Sequence, residues 1–177
     1  MLKYVESLDL RFFRFWRKHS FSARMDKFLR FYTRMGDGYV WALVIAYICF
    51  FYGMEVLFVM VKHVIPAILL SLFFYWLVKL SVRRKRPFDL LSEVNAEVPP
   101  LDKYSFPSGH AMNNLAVGFT VFAEIPSIGW IMLLMPVTWG FLRVYYGVHW
   151  FSDIIGGICL GFLSFWLGKI VFAILLQ

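Results

Sequence analysis

Hydrophobic and polar positions divide this chain into two regimes. Up to about residue 37, apolar and basic residues alternate at helical spacing. Phe21, Met25, Phe28, Leu29 and Tyr32 fall on one helical face, with Arg24, Lys27 and Arg34 on the other. Leu8, Phe12 and Phe15 oppose Arg11, Arg14 and Lys18 in the same way. This pattern predicts one or two amphipathic helices lying in a lipid headgroup layer. After the break at Gly36-Asp37-Gly38 the polar face disappears. Apolar runs follow over residues 39–53, 56–82, 107–123, 128–142 and 149–176, with Glu55 and the turn Glu124-Ile125-Pro126-Ser127 marking two of the reversals. A membrane-crossing helix needs about 20 residues, so the runs range from short to generous. The expected fold is all-α: a polytopic membrane helix bundle of about five transmembrane helices, preceded by N-terminal interfacial helices. The domain boundaries follow, with an amphipathic basic segment over 1–37 and a transmembrane domain over 38–177. Lys62 and His63 read as interfacial, with no visible partner for His63. Gly157, Gly161, Ser164 and Gly168 string small residues along the last run and predict close helix packing there.

Composition supports this picture. The chain of 177 residues is 60% hydrophobic and only 16% charged, against about 25% charged in a soluble domain. In a membrane protein the net charge of +7 points to topology and lipid headgroups, and nucleic acid is not an expected partner. Both cysteines, Cys49 and Cys159, lie inside apolar runs and offer no disulfide framework. No His/Cys cluster has zinc spacing, so neither metal nor other cofactor is expected. The N-terminus does not read as a signal peptide, because charges interrupt it before an apolar core forms.

The chemistry sits in three polar clusters at the ends of apolar runs. The first is Lys79 through Arg86-Pro87; the second is Pro107-Ser108-Gly109-His110; the third is Arg143, His149 and Asp153. Alternation of spans alone puts all three on one membrane face. Lys79, Arg86 and Arg143 supply cations near membrane depth, where an uncompensated charge is costly and an anionic ligand is expected. Guanidinium groups match the forked geometry of phosphate oxygens. Ser108 offers a hydroxyl. Gly109 lets backbone N–H groups at a helix start approach an anion. His149 and Asp153 are spaced i, i+4 and would face each other on one helix. A carboxylate on one ring nitrogen fixes the tautomer and leaves the other a better nucleophile. His110 is then a second histidine, available as general acid. Taken singly the pieces are weak: the Arg83–Arg86 run alone reads as a topology signal, and His149 with Asp153 could be a structural pair. Order, spacing and co-location point to metal-free phosphoryl transfer.

Lys79-x6-Arg86-Pro87, then Pro107-Ser108-Gly109-His110, then Arg143-x5-His149-x3-Asp153 resembles the tripartite signature of the type 2 phosphatidic acid phosphatases, the PAP2 lipid phosphatases. The resemblance covers residues 79–153 and implies a mechanism. His149 would form a phosphohistidine, Asp153 would orient it, and His110 would protonate the leaving oxygen and then activate water. Lys79, Arg86, Ser108, Gly109 and Arg143 would hold the phosphate. One departure is Leu142, where the family usually carries a serine; one hydroxyl contact to phosphate is expected to be missing. The implied substrate is a phosphorylated membrane lipid within the bilayer, with no obligatory protein partner. The basic rim and basic N-terminus favour a bulky, multiply anionic glycolipid, lipid A 1-phosphate, over undecaprenyl pyrophosphate or phosphatidylglycerophosphate. Transfer to a second lipid in place of water is the alternative reaction. The positive-inside rule would turn the charged face to the cytoplasm. The resemblance instead implies a multi-pass protein of a bacterial inner membrane acting at its periplasmic face.

Overall fold

A computed structural model describes residues 2–175. Its elements are α1 (Leu2–Trp16), α2 (Ala23–Arg34), a short 3-10 turn (Met35–Asp37), α3 (Tyr39–Val82), α4 (Pro87–Leu90), α5 (Gly109–Glu124), α6 (Pro126–Tyr145) and α7 (Phe151–Leu175). The expected end of the last span at Leu176 lies outside the described residues.

The all-α expectation holds, and two of the expected spans run together in α3. That helix has 44 residues and is broken at Gly53, where φ is 83° and ψ is 168°. Only glycine adopts such a backbone without strain. Residues Trp41, Val44 and Ile48 before the break line the same cavity of about 270 Å³ as Met60, Val64 and Ile68 after it. A helix rises about 1.5 Å per residue, so these residues meet only because the chain doubles back at Gly53. Among the described residues, three helical stretches, those carrying α3, α6 and α7, are long and apolar enough to cross a membrane. Helix α5 has 16 residues, short for a span of about 20. Its place explains why: it is the centre of the bundle, in contact with α3, α6 and α7. Most of its residues from His110 to Val121 are buried.

Close packing sets the register of α7 on α5. A Cβ on Gly157 would lie 2.8 Å from the Ser108 carbonyl oxygen, and one on Gly161 would lie 2.6 Å from that of Met112. Only hydrogen at these positions lets the two backbones approach so far, as expected from the small-residue stripe. This approach brings Asp153, one turn before Gly157, against the N-terminus of α5: Ser108 N donates to the Asp153 carbonyl at 3.1 Å.

The N-terminal helices form as predicted but do more than lie on a headgroup layer. Ser22 caps α2, its Oγ accepting from Met25 N at 3.4 Å. Helix α1 buries Phe13 fully and packs Leu10, Phe12 and Trp16 toward Trp150 and Ile154. Its predicted apolar face is therefore split: Phe12 turns inward, while Leu8 and Phe15 are exposed. In α2, Tyr32 packs against Trp139 while Met25, Phe28 and Phe31 remain exposed. The basic residues are not all free for headgroups. Arg17 and Arg30 converge on Glu97 at 2.8 and 2.7 Å, and Arg30 also donates to the Glu97 carbonyl. These pairs tie both helices to the loop before α5. At the other end of the bundle His63 does have a neighbour, Glu124, 2.6 Å away.

Candidate active site

The residues named from sequence come together at one end of the bundle, and nearly all are removed from solvent. Lys79, Arg86, Ser108, His110, Arg143, His149 and Asp153 are each at most 3% exposed. Lys79 and Arg86 come from the end of α3 and the turn after it; Ser108 and His110 open α5; Arg143 closes α6; His149 and Asp153 bracket the start of α7. Gly109 is placed for packing against a side chain: a Cβ there would lie 2.9 Å from the Tyr75 ring.

His149 is not on the helix with Asp153, as its spacing had suggested. Helix α7 starts at Phe151, and His149 sits in the connection after Gly147, whose φ is 78°. That turn lets Val148 N and His149 N both donate to the Arg143 carbonyl at 3.1 and 3.3 Å. The Asp153 carboxylate reaches back to accept from Trp150 N at 2.7 Å and lies 3.4 Å from His149 Nδ1. The other ring nitrogen, Nε2, faces Arg86 Nη1 at 3.4 Å. A guanidinium only donates, so Nε2 is the acceptor and Nδ1 carries the proton toward Asp153. Burial, then the nearby charges of Arg86, Arg143 and Lys79, hold the His149 pKa well below 6.5. The imidazole is neutral at physiological pH with its lone pair on Nε2, the form a nucleophile needs.

His110 lies across the site. Its Nε2 is 2.8 Å from Asp37 Oδ1 and 3.4 Å from Arg143 Nη1. Arg143 is anchored further by a bond from Nη2 to the Pro99 carbonyl at 3.3 Å. Burial raises the Asp37 pKa, but the His110 hydrogen bond and the charges of His110, Arg143 and Arg34 prevail and hold the carboxyl below its ordinary value.

Four acidic or basic partners were missed in the sequence. Asp37 had been read only as part of a chain break. Asp102, in the loop before α5, accepts from Lys79 Nζ at 2.7 Å and from Arg86 Nη2 at 2.9 Å. Arg84 had been read within the Arg83–Arg86 run. Instead its Nη1 donates to Asp153 Oδ1 at 2.7 Å and its Nη2 to Asp9 Oδ2 at 2.6 Å. Asp9 in turn accepts from Ser152 N and Ser152 Oγ at 2.9 and 2.6 Å. The signal available was general: buried cations and carboxylates require counter-charges, which says that partners exist but not which residues supply them.

Leu142 also has a different role from the one its position implied. Its side chain is buried with Val98, Tyr146 and Val148. Among the described residues, buried donors without a partner include Thr33 Oγ1 and Trp139 Nε1 elsewhere in the fold and two in the site, Ser108 Oγ and Arg143 Nε. The latter two belong to the predicted phosphate set, and an oxyanion would satisfy both. Among the described residues no group of three His, Cys, Asp or Glu is arranged to hold a metal ion.

Comparison with known proteins identifies the family. Residues 60–175 match the PAP2 superfamily. The chain is 30% identical over 142 residues to an undecaprenyl-diphosphatase of Sulfolobus acidocaldarius, covering 78% of this chain and 66% of the relative. It is 33% identical over 93 residues to phosphatidylglycerophosphatase B of Bacillus subtilis, covering 45% of this chain and 46% of that protein. The chain thus spans just under two thirds of the first relative's length and under half of the second's. The crystal structure of Aquifex aeolicus LpxE superposes with a TM-score of 0.75 at 26% identity, covering 92% of this chain and 94% of that one. The matched stretch contains every residue of the buried site from Lys79 to Asp153, and the helical fold agrees along nearly the whole chain, so the protein belongs to the PAP2 superfamily.

Proposed function

We propose that this protein hydrolyses a phosphomonoester or pyrophosphate of a membrane lipid through a phosphohistidine intermediate, without a metal. The observation that carries this reading is the pairing of a neutral, buried His149 with unsatisfied oxyanion donors. Nε2 of His149 faces Arg86, while Ser108 Oγ and Arg143 Nε have no partner. In the first step the Nε2 lone pair attacks phosphorus and the bond to the lipid oxygen breaks. His110 gives its proton to that oxygen, and Asp37 at Nε2 steadies the imidazolium from which the proton comes. Lys79, Arg86 and Arg143 spread the charge of the transferring phosphoryl group, the main task in such reactions. In the second step His110 takes a proton from water, the water oxygen attacks phosphorus, and inorganic phosphate leaves His149. Asp153 orients His149 throughout and balances the charge it acquires.

The favoured substrate is a bulky, multiply anionic glycolipid such as lipid A 1-phosphate. Two observations support this. A groove of about 610 Å³ lined by Arg83, Lys85 and Lys103 adjoins the phosphate cations through Asp102, and the likeness to LpxE runs along almost the whole chain. Undecaprenyl diphosphate is the second reading, favoured by the identity to the Sulfolobus protein. The active face is proposed to be periplasmic, in a bacterial inner membrane. Part of the basic charge on that face has an internal role: Arg17, Arg30, Lys79, Arg84 and Arg86 pair with Glu97, Asp102, Asp9 and Asp153.

The test is phosphate release by detergent-purified protein in the presence of EDTA. The panel holds phosphatidic acid, phosphatidylglycerophosphate, undecaprenyl pyrophosphate and lipid A. Release from lipid A that survives EDTA is expected. Release only after a divalent metal is restored would overturn the metal-free mechanism, and release from another lipid alone would overturn the substrate assignment. A cysteine placed at exposed Leu101 should react with an impermeant thiol reagent in intact cells. Reaction only after lysis would reverse the sidedness.

A further inference from the structure

The cations proposed to hold phosphate are already holding an anion of the chain's own. Lys79 Nζ donates to both oxygens of Asp102, each at 2.7 Å. Arg86 Nη2 donates to Oδ1 at 2.9 Å, and Tyr75 OH donates to Oδ2. None of this is needed to fix the loop, because Arg86 separately anchors its backbone. Nε donates to the Asp102 carbonyl at 3.2 Å and Nη2 to that of Tyr104 at 2.9 Å. The carboxylate can therefore leave its donors by side-chain rotation while the loop stays in place. It has somewhere to go: Asp102 lines both the basic groove with Arg83, Lys85 and Lys103 and a second groove of about 330 Å³ that contains His110 and Gly109. A planar carboxylate also cannot serve the whole site. Ser108 Oγ and Arg143 Nε, both buried, remain unpaired with Asp102 in position. A tetrahedral phosphate has the additional oxygens to reach them.

Resting on the function proposed above, we infer that Asp102 is a specificity-determining residue: an internal competitor that admits dianionic phosphate ends and turns away singly charged phosphodiester headgroups. The need is physical. A cationic site at a membrane face is surrounded by phosphodiester lipids, each carrying one negative charge, at concentrations far above any minor phosphorylated lipid. With Asp102 seated, a monoanion gains little by exchanging with a carboxylate of equal charge. A phosphomonoester, or the end of a pyrophosphate, brings close to two charges at neutral pH and three acceptor oxygens. It displaces the carboxylate and engages the remaining donors. The cost of displacement falls on every ligand, so discrimination is gained at the expense of affinity.

Binding to the detergent-purified full chain tests this without requiring turnover, so a failure of the lipid-phosphatase reading shows separately, as an intact binding site with no phosphate release. Inorganic phosphate and dimethyl phosphate are titrated by calorimetry at about pH 8, where the former is largely dianionic. The wild type should bind inorganic phosphate and show no heat with dimethyl phosphate. In Asp102→Asn, inorganic phosphate should bind about ten- to a hundredfold tighter, as charge-assisted hydrogen bonds no longer have to be broken, and dimethyl phosphate should now bind. If Asp102 instead merely positions Lys79 and Arg86, the same variant binds inorganic phosphate more weakly, and the inference is overturned. It is also overturned if dimethyl phosphate stays unbound. Should Asp102→Asn fail to fold, Tyr75→Phe removes one donor from the carboxylate and leaves every charge in place. It should tighten inorganic phosphate severalfold, and unchanged or weaker binding there would overturn the inference.

Discussion

Arg84 offers the sharpest test of how Asp153, the carboxylate proposed to orient His149, is held. It bridges two buried carboxylates, Asp9 and Asp153, at 2.6 and 2.7 Å, and their side chains are 3% and 0% exposed. Arg84→Met keeps much of the side chain's length and removes the charge. Two carboxylates then lose their buried counter-charge. Breaking a buried pair by removing one partner costs about 3–5 kcal/mol. In a domain of this size about 1 kcal/mol shifts the melting temperature by roughly 2–4 °C, so a fall of about 10 °C is expected. Asp153 also loses the bond that aims its second oxygen, so the His149 ring is less well fixed. The rate constant kcat should fall about tenfold or more, and KM should change little, because Arg84 makes no contact with the phosphate donors. Arg24→Met is the control, since Arg24 is exposed on α2 and does not line the basic groove. Melting is followed by tryptophan fluorescence and kcat by phosphate release. If the two variants melt alike and turn over alike, the bridge does not hold Asp153 and the reasoning is wrong.

Other outcomes follow from the same geometry. His149 is held neutral below its ordinary value of 6.5, so below that pH the unfolded chain binds a proton that the native state does not. Stability must then fall with falling pH, by about 1.4 kcal/mol per unit for this one group, and His149→Phe should lose less between neutral pH and pH of about 5 than the wild type does. Asp37 and Asp102 are both held below the ordinary carboxylate value of 3.8, so their contribution persists through that range and is lost only in stronger acid. Leu142→Ser, which restores the family's usual residue, should destabilise the fold by about 2–4 kcal/mol through loss of buried apolar volume. It should leave KM unchanged, because the side chain packs on Val98, Tyr146 and Val148; a lower KM would show that the hydroxyl does reach phosphate.

Most of the site was legible because its residue types are tied to spacing. Lys79 to Arg86 spans the end of one helix, Ser108 to His110 opens another, and Arg143 to Asp153 bridges two; alternation of spans then brings them to one face. The partners were not legible, because they come from parts of the chain with no fixed register to the motifs. Asp9 lies on a helix read as lipid-facing, Asp37 in a turn, and Asp102 in a loop without regular structure. Periodicity says which face of a helix is apolar but not whether lipid or protein covers it, so α1 and α2 were placed on headgroups when their inner faces dock on Trp150 and Trp139. The same limit misplaced His149: i, i+4 spacing fits a helix, but Gly147 at positive φ ends that possibility and lets Asp153 reach back to Trp150 N. Gly53 was readable as a break because a polar residue, Glu55, follows it within an apolar run.

The claim at the centre of the account is covalent: phosphorus passes through His149. Lipid labelled with radioactive phosphorus at the scissile group, mixed with protein and quenched in alkali within a turnover, tests it directly. The account predicts label on the protein that is stable to alkali and lost in acid, located on the peptide carrying His149, and absent along with phosphate release in His149→Ala. Turnover that persists in His149→Ala, or label found on another residue, would contradict it.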